Sequence, residues 1–534
     1  MQIEMYDNTE CSKKLFQIVW MITFVAILAE MLLFFSLDNF LGCCMTVAVL
    51  FVFQFFVVKR DNIIKYPFSF FAMLSLFAYR FLPLFITLIE GKPITHGMEL
   101  PVETFFGETV LFAVAVCAYN LALKKYVWGK RKTRNFIQEL FWHIGIFETL
   151  PISSIVIMGI MGVTARITTL SIGGVSVVGF SAAQKFLNTF NEFIYVPVIL
   201  FFPCLYSDHY LKPVDFKKWR VWAYVALITI LCLGTNSRNA IIAPFATIAL
   251  LYTFCLYKGY ISGRKVFNAN SVLKIAVVVV IAMQAITMIS NAMLLTRSIR
   301  SDVSFQELIG MSIRYVVDST DGGSIQITDK TQPVRDYDGG WTEEYIDNFM
   351  LNRFANIRIT DETLYLGKRI KSTVREQMQR DFFNRVYCIL PSPILNMLGI
   401  QIDKSEYSNS RGDYLYYISG IGNRYSLGGY RITSHLGDGY ATFGWWYYYI
   451  QLIIWFICFK LMNMLSYSGQ DGKVIYSCFA FTNCYSYFSL FRNTNGILFD
   501  ITFIMRTYWQ EIVIFCIALF VAKIGGYFMR KKVK

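Results

Sequence analysis

Apolar runs long enough to cross a bilayer recur along this chain, and they constrain its fold more than any other feature. A transmembrane helix needs about 20 predominantly apolar residues. The runs raise the mean hydropathy to +0.45, and only 16% of the 534 residues are charged, compared with roughly 25% in ordinary soluble proteins. The sequence therefore excludes a soluble enzyme and predicts an all-α polytopic membrane protein.

We interpret twelve of these runs as membrane spans, because charged or turn-rich segments separate them. Residues 171–184 are apolar but rich in glycine and serine, so we leave them as a re-entrant or interfacial stretch. The first run lacks a small-residue cleavage pattern and is expected to stay in the protein. The predicted spans are residues 15–37, 40–58, 67–88, 109–123, 150–170, 192–206, 221–234, 240–256, 275–295, 441–462, 474–490 and 509–522.

The distribution of basic residues predicts the orientation of these spans. With the N-terminus inside, the cytoplasmic segments carry 26 lysines and arginines, whereas the outer ends and short outer loops carry 6. This asymmetry follows the positive-inside rule and predicts that both termini are cytoplasmic. The net charge of +14 then reflects topology, so nothing indicates a nucleic-acid partner.

A long outer segment, residues 296–440, divides nine spans (1–295) from three spans and a basic tail (441–534). It carries 17 basic and 18 acidic residues, and it is too long to be a simple connector. Residues 361–385 have the pattern of one amphipathic helix, which either lies on the membrane, caps a cavity, or is simply a solvated helix stabilised by charge pairs. Only Cys388 of the 12 cysteines lies in this segment, so no disulfide framework or metal-ligand spacing is available.

Arg238 stands in a tight outward turn, GTNSRNA at 234–240. Asn236 and Ser237 can cap the helix that follows, and a capped helix N-terminus beside a guanidinium suits a phosphate. The alternative is an interfacial arginine that reaches the lipid headgroups. Local features favour neither interpretation.

Other arginines also lie at or near the predicted outer surface. Arg297 and Arg300 are three residues apart and share a helical face, with Arg314 following. This group could hold a diphosphate or anchor to headgroups. Arg166 lies within a span, where a charge is costly and tends to be functional. Arg80 is also within a span, but it could stabilise packing by bonding carbonyl groups.

The outer segment ends with His435 and Asp438, which share a helical face if the turn is helical. An imidazole and a carboxylate can together remove a proton from a hydroxyl group. The alternative, which local context favours, is a Gly-Asp-Gly turn whose aspartate caps the next helix. A further acidic pattern, Asp336-Tyr337-Asp338, precedes two glycines, and we interpret it as a turn rather than a metal–nucleotide site.

The chain resembles the Wzy-type polymerases that join O-antigen or capsule repeat units. The resemblance covers the plan of about twelve spans with a late outer segment, and the Ser237-Arg238 turn. It also covers HLGDGYATFG at 435–444, which is similar to a G-x-x-Y-x-x-F-G pattern before the next span, and ILPSP at 389–393, which is similar to a mid-loop Leu-Pro segment. Ser392 stands there where the family often has a basic residue.

The resemblance implies a GT-C-like glycosyltransferase of the bacterial inner membrane that needs no metal and no cofactor. Its substrate would be an oligosaccharide repeat on undecaprenyl diphosphate, within membrane lipid, and a chain-length regulator protein would be a partner. Arg238, Arg166, Arg297, Arg300 and Arg314 would bind diphosphate. His435 with Asp438 would accept the proton of the acceptor hydroxyl. The alternatives are an O-antigen ligase, which uses the same donor, and a flippase or secondary transporter, against which the large outer segment argues.

Overall fold

The computed structural model describes residues 5–124, 134–173, 186–233, 238–268, 270–272, 336–469, 472–492 and 496–532, and residues 274, 277, 284, 287 and 314. Eight helices in this part of the chain are long and apolar enough to cross a membrane. The chain is therefore a polytopic helical protein. Its count of twelve spans and its GT-C-like fold stay predictions. The eight helices are Thr9–Leu33, Leu37–Val57, Pro67–Ile89, Pro101–Leu123, Ile152–Thr169, Asn239–Lys258, His435–Asn463 and Gly496–Gly526.

The first half of the chain is built almost entirely from apolar helices. Three of them begin at a proline, whose missing N–H costs nothing in the first turn, and another begins after Ser36, whose Oγ accepts a 3.1 Å hydrogen bond from Asn39 N. The helices are α1 (Thr9–Leu33), α2 (Leu37–Val52, continued by a π-helical turn, Phe53–Val57), α3 (Arg60–Lys65), α4 (Pro67–Ile89), α5 (Pro101–Leu123), α6 (Phe136–His143), α7 (Ile152–Gly173), a 3₁₀ helix (Thr189–Phe201), α8 (Pro203–Tyr206), α9 (Trp219–Leu233), α10 (Arg238–Lys258) and α11 (Gly263–Val266).

The outer segment is also helical where it is described, and it leads into the last membrane helices. Short 3₁₀ turns at Lys404–Tyr407, Arg424–Ser426 and Gly444–Trp446 connect its parts. The elements are α12 (Phe349–Ala355), α13 (Arg358–Arg369), α14 (Ser372–Ile389), α15 (Ser392–Met397), α16 (Arg411–Ile418), α17 (His435–Phe443), α18 (Tyr447–Asn463), β1 (Ser466–Ser468), β2 (Val474–Tyr476), α19 (Cys478–Thr482), α20 (Cys484–Leu490), α21 (Gly496–Thr502), a π-helical turn (Phe503–Thr507) and α22 (Tyr508–Lys532).

Several predicted boundaries are wrong. Residues 474–490 do not form one span: β2 pairs antiparallel with β1, and Asn483, with φ −101° and ψ 12°, separates α19 from α20. The predicted helix 361–385 is two helices, because Ile370 and Lys371 are extended. The last span begins at Gly496 rather than at residue 509. The predicted span 275–295 lies outside the described residues apart from Val277, Gln284 and Thr287.

Loops that the topology prediction places on one side meet at one end of the bundle. At the predicted cytoplasmic end, Asn8 Nδ2 donates to Leu256 O at 2.7 Å, and Ser466 Oγ donates to Lys65 O at 2.6 Å. At the opposite end, Lys92 Nζ forms a 2.7 Å ion pair with Asp347 of the outer segment. The contacts agree with the alternation of the spans, and the orientation relative to the cytoplasm stays a prediction.

Asp361 fastens the outer segment to the membrane helices. Its carboxylate lies fully buried and accepts hydrogen bonds from Glu99 N at 2.7 Å, Leu100 N at 3.0 Å, Thr104 Oγ1 at 2.8 Å and Tyr337 OH at 2.7 Å. Three of these donors lie at the start of α5, where backbone N–H groups have no partner within the helix. These contacts dock the outer segment on the membrane helices.

Candidate functional site

α17 holds both residues that the sequence predicts as the acid–base pair. The predicted alternative, an aspartate that caps the next helix, is wrong, because Ser434 is the cap and its Oγ accepts a 2.9 Å hydrogen bond from Gly437 N. Gly437 and Gly439 lie within the helix rather than in a turn. A Cβ at Gly437 would lie 2.1 Å from Thr363 Oγ1, so this glycine is needed for close packing against α13.

His435 pairs with an aspartate that the sequence analysis missed. Its Nε2 lies 3.1 Å from Oδ2 of Asp500, on α21. The same carboxylate oxygen accepts hydrogen bonds from Gln451 Nε2 at 2.6 Å and Trp455 Nε1 at 2.9 Å, both on α18. The side chains of His435 and Asp500 are 1% and 0% exposed. His435 therefore joins α17 to α21 in the protein interior.

Asp438 belongs to a separate group of charges, which we call the buried ion network: Arg411, Asp438, Asp381 and Arg385. Arg411 donates to Asp438 Oδ1 at 2.6 Å and to Asp381 Oδ2 at 2.6 Å, and Arg385 donates to Asp381 Oδ2 at 2.7 Å. The structure places His435 and Asp438 on one helix, but each is bonded to a different partner. Buried charges need such pairing because desolvation is costly.

Some oxygen and nitrogen atoms of these two groups lack partners in the described part of the chain. His435 Nδ1, Asp438 Oδ2 and Asp500 Oδ1 are buried without a hydrogen bond. Unpaired buried polar atoms are costly and mark either ordered water or a functional group. Both carboxylates and the imidazole are nevertheless closed off from solvent, so an oligosaccharide reaches them only if the surrounding helices move.

Arg166 lies at a different place, where α7 packs directly on the 3₁₀ helix. Gly159 and Gly162 make this approach possible: a Cβ at Gly162 would lie 2.2 Å from Ile194 N, and one at Gly159 would lie 2.3 Å from Pro197 Cγ. Arg166 follows Gly162 by one helical turn and therefore lies on the same face. The glycines thus bring a guanidinium against the 3₁₀ helix.

The 3₁₀ helix presents Glu192 and Tyr195 on this side. Residues three apart are aligned in a 3₁₀ helix, and runs longer than four residues are uncommon, so this 13-residue stretch is an unusual element. Tyr195 OH donates a 3.1 Å hydrogen bond to Ala240 O in the first turn of α10. The sequence prediction used Glu192 only as the boundary of a span.

Arg166, Glu192 and Tyr195 line a cavity of about 350 Å³, which we call the Arg166 cavity. Glu511 of α22 adds a second carboxylate to the lining. Arg166 Nε and Glu511 Oε2 are buried and have no hydrogen-bond partner in the described chain. The other lining residues are Asn239, Ala240, Ala243, Tyr485, Ser486, Tyr487, Ser489, Leu490, Phe499, Phe503 and Thr507.

The first turn of α10, which begins at Arg238, borders the same cavity. Arg238 is the first residue of α10, and the next residue, Asn239, lines the cavity. Asn239 Oδ1 accepts hydrogen bonds from Tyr485 OH and from Arg492, and Arg492 Nη2 also donates to Tyr485 OH at 2.6 Å. In the sequence, Arg492 is only one of the six outer basic residues, and the structure places its guanidinium on Asn239 in the first turn of α10.

The remaining predicted sites contribute less to this arrangement. Arg297, Arg300 and the capping residues Asn236 and Ser237 lie outside the described residues, as does the Arg238 side chain. Arg314 is described as helical and exposed, and it is not among the described lining residues of the cavity.

Two sequence interpretations of structural roles are confirmed. Arg80 donates to Leu76 O at 2.9 Å and to Glu108 O at 3.0 Å, and it forms a buried ion pair with Glu108. It therefore stabilises the packing of α4 on α5. Asp336 begins a turn, because its backbone O accepts a hydrogen bond from Gly339 N at 3.0 Å.

Comparisons with protein-family models, with curated proteins and with solved structures find no match for this chain. Two features of the molecule itself therefore bear on its function. One is the Arg166 cavity, which is lined by charged side chains. The other is the closed pair His435–Asp500 beside the buried ion network. They meet on α21, where Asp500 faces His435 while Phe499 lines the cavity.

Proposed function

We propose that this chain polymerises oligosaccharide repeats that are carried on undecaprenyl diphosphate, forming O-antigen or capsule on the outer face of a bacterial inner membrane. The supporting observation is the Arg166 cavity, which holds a cation and carboxylates among apolar membrane helices. Intramembrane charges of this kind usually serve function rather than stability. The chemistry is that of a glycosyltransferase that needs no metal and no cofactor.

Transfer from a lipid diphosphate requires stabilisation of negative charge on the leaving group. In this proposal, Arg166 bonds the diphosphate, assisted by the amide of Asn239 and by Arg238 at the start of α10. Arg297, Arg300 and Arg314 keep their predicted role as further diphosphate contacts. The two carboxylates of the cavity would repel an anion that is only bound there. The lining therefore suits a reaction that needs both a cation and a proton acceptor.

The roles predicted for His435 as base and Asp438 as its tuning residue stay predictions. Both side chains lie at least 99% buried, and neither is among the described lining residues of the Arg166 cavity. Their contacts nevertheless position α21, because His435 bonds Asp500 and a Cβ at Gly496 would lie 3.4 Å from Asp438 Oδ2.

The test is to replace Arg166 and to measure polymer and donor binding separately. Arg166→Ala should lower polymerisation by roughly 100- to 1,000-fold, as the loss of one electrostatic stabiliser does, and should weaken binding of undecaprenyl diphosphate to the purified protein. Arg166→Lys should restore only part of the activity, because a point charge cannot replace a bidentate fork. Arg380→Ala is the matched control, since Arg380 is 79% exposed on α14. A normal glycan ladder in Arg166→Ala would refute the proposal.

The same cavity favours a second candidate, a flippase or secondary transporter, because Glu192 and Glu511 face Arg166 across membrane helices and such groups also line transport pathways. Reconstitution distinguishes the candidates. A polymerase lengthens lipid-linked glycan in liposomes that contain only this protein, whereas a transporter moves the glycan across the bilayer without lengthening it. An O-antigen ligase would require lipid A core as acceptor.

A further inference from the structure

We infer that Glu192 is the catalytic residue that accepts the proton of the acceptor hydroxyl in the Arg166 cavity. This inference rests on the proposed function and adds a residue that the sequence analysis did not assign. It is carried by the position of Glu192 in the cavity beside Arg166, and by the closed environment of the other candidates.

Solvent exposure distinguishes Glu192 from the residues predicted as the base. Glu192 is exposed and lines the cavity, whereas His435, Asp438 and Asp500 are at most 1% exposed. A general base must come within hydrogen-bond reach of the hydroxyl group that it deprotonates. In this structure Glu192 meets that requirement in the open cavity, and the buried histidine pair does not.

Position along the helices separates Glu192 from Glu511, the other carboxylate of the cavity. With 1.5 Å of rise per residue, Glu511 lies about 22 Å along its helix from Gly496, near the midpoint of the 31-residue helix Gly496–Gly526. Arg166 lies only about 10 Å from the corresponding end of α7 at Gly173. Glu192 is in the first turn of the 3₁₀ helix, so it is closer than Glu511 to the end where glycan would enter.

The reaction at this site balances without a further reactant. The acceptor O–H bond breaks and its proton moves to a carboxylate oxygen of Glu192. The acceptor oxygen then uses its electron pair to form the bond to the anomeric carbon. The bond from that carbon to the diphosphate oxygen breaks, and its electrons stay on the diphosphate, whose charge Arg166 stabilises.

The groups that face Glu192 define how its protonation is tested. Arg166 from α7 favours the charged carboxylate, and Glu511 from α22 opposes it. Tyr195 on the same helix, with Tyr485 and Tyr487 from α20, completes the titratable lining. Because a base acts only when deprotonated, the polymerisation rate should rise with pH through the ionisation of Glu192 and then level off.

The experiment compares Glu192→Gln and Glu192→Asp with Glu376→Gln, a control at an exposed side chain of α14. Each purified protein is assayed for elongation of lipid-linked repeats across pH, and for binding of undecaprenyl diphosphate. Glu192→Gln should lower the rate roughly 100- to 10,000-fold, abolish its rise with pH and leave binding unchanged. Glu192→Asp should retain part of the rate, which shows that the variants fold.

The outcomes separate this inference from the proposed function. A wild-type rate in Glu192→Gln, with Arg166→Ala inactive, overturns the inference alone. Wild-type rates in both overturn the proposed function as well. Loss of undecaprenyl diphosphate binding in Glu192→Gln also overturns the inference. So does loss of the pH-dependent rise in Glu511→Gln or His435→Ala, instead of in Glu192→Gln.

Discussion

Replacing Gly162 by alanine should separate α7 from the 3₁₀ helix and disable the Arg166 cavity. The new Cβ would lie 2.2 Å from Ile194 N and 2.5 Å from Phe193 C, and ordinary van der Waals contact begins at 3.4 Å. These are backbone atoms, which cannot rotate away, so the two helices must move apart locally by about 1.2 Å. Overpacking of this kind costs about 1–3 kcal/mol, and a misplacement of about 1 Å can cost 100-fold in rate.

The assay for Gly162→Ala pairs thermal unfolding in detergent with the elongation of lipid-linked repeats. Gly525→Ala is the matched control, because its Cβ would meet α7 only at the flexible end of Ile157, 3.2 Å away. We expect the control to resemble the wild type in both measurements. If Gly162→Ala is as stable and as active as Gly525→Ala, then close packing of α7 does not position Arg166, and the geometric argument is wrong.

Two further predictions concern buried charges of the outer segment. Arg411→Met leaves Asp438 and Asp381 buried without their shared cation, so the free energy of unfolding should fall by about 3–5 kcal/mol; an unchanged denaturation midpoint would contradict the assigned pairing. Burial raises the pKa of Glu362 from 4.5 to about 8, so the folded protein holds a proton that the unfolded chain releases, and this stabilisation is complete below pH 4.5 and is lost as pH rises to about 8. Glu362→Gln should therefore be less pH-dependent than the wild type in unfolding experiments between these values, and parallel profiles would disprove the shift.

The length of the apolar runs predicted most of the membrane helices. Each such helix makes its backbone hydrogen bonds internally, so it can be identified without knowing which helices it packs against. The method failed at 474–490, where serine, threonine and asparagine divide an apolar run. Ser477 caps α19 and Asn483 ends it, so one predicted span becomes a strand and two short helices. Local polar side chains can hydrogen-bond the backbone in place of the helical hydrogen bonds, and composition averaged over a window does not detect this competition.

The candidate site was predicted less well, because its contacts depend on residues far apart in the chain. In the sequence, His435 and Asp438 share a face only if their segment is helical, and local context favoured a turn; in the structure both lie on α17. Their partners, Asp500 and Arg411, lie 65 and 27 residues away, and no local pattern identifies them. Glu192 had a usable signal, since a carboxylate inside an apolar run is costly unless it serves a purpose.

The Asp361 contact also bears on the order in which the protein is assembled during synthesis. Glu99 precedes Asp361 by 262 residues, so a ribosome that adds 5–20 residues per second makes the two about 13–50 s apart. Throughout that interval the N–H groups at the start of α5 have no carboxylate to bond and must stay hydrated at the membrane surface. In a nascent chain stopped before residue 361, this end of α5 would therefore stay solvated. The outer segment buries it only after the first helices have been inserted.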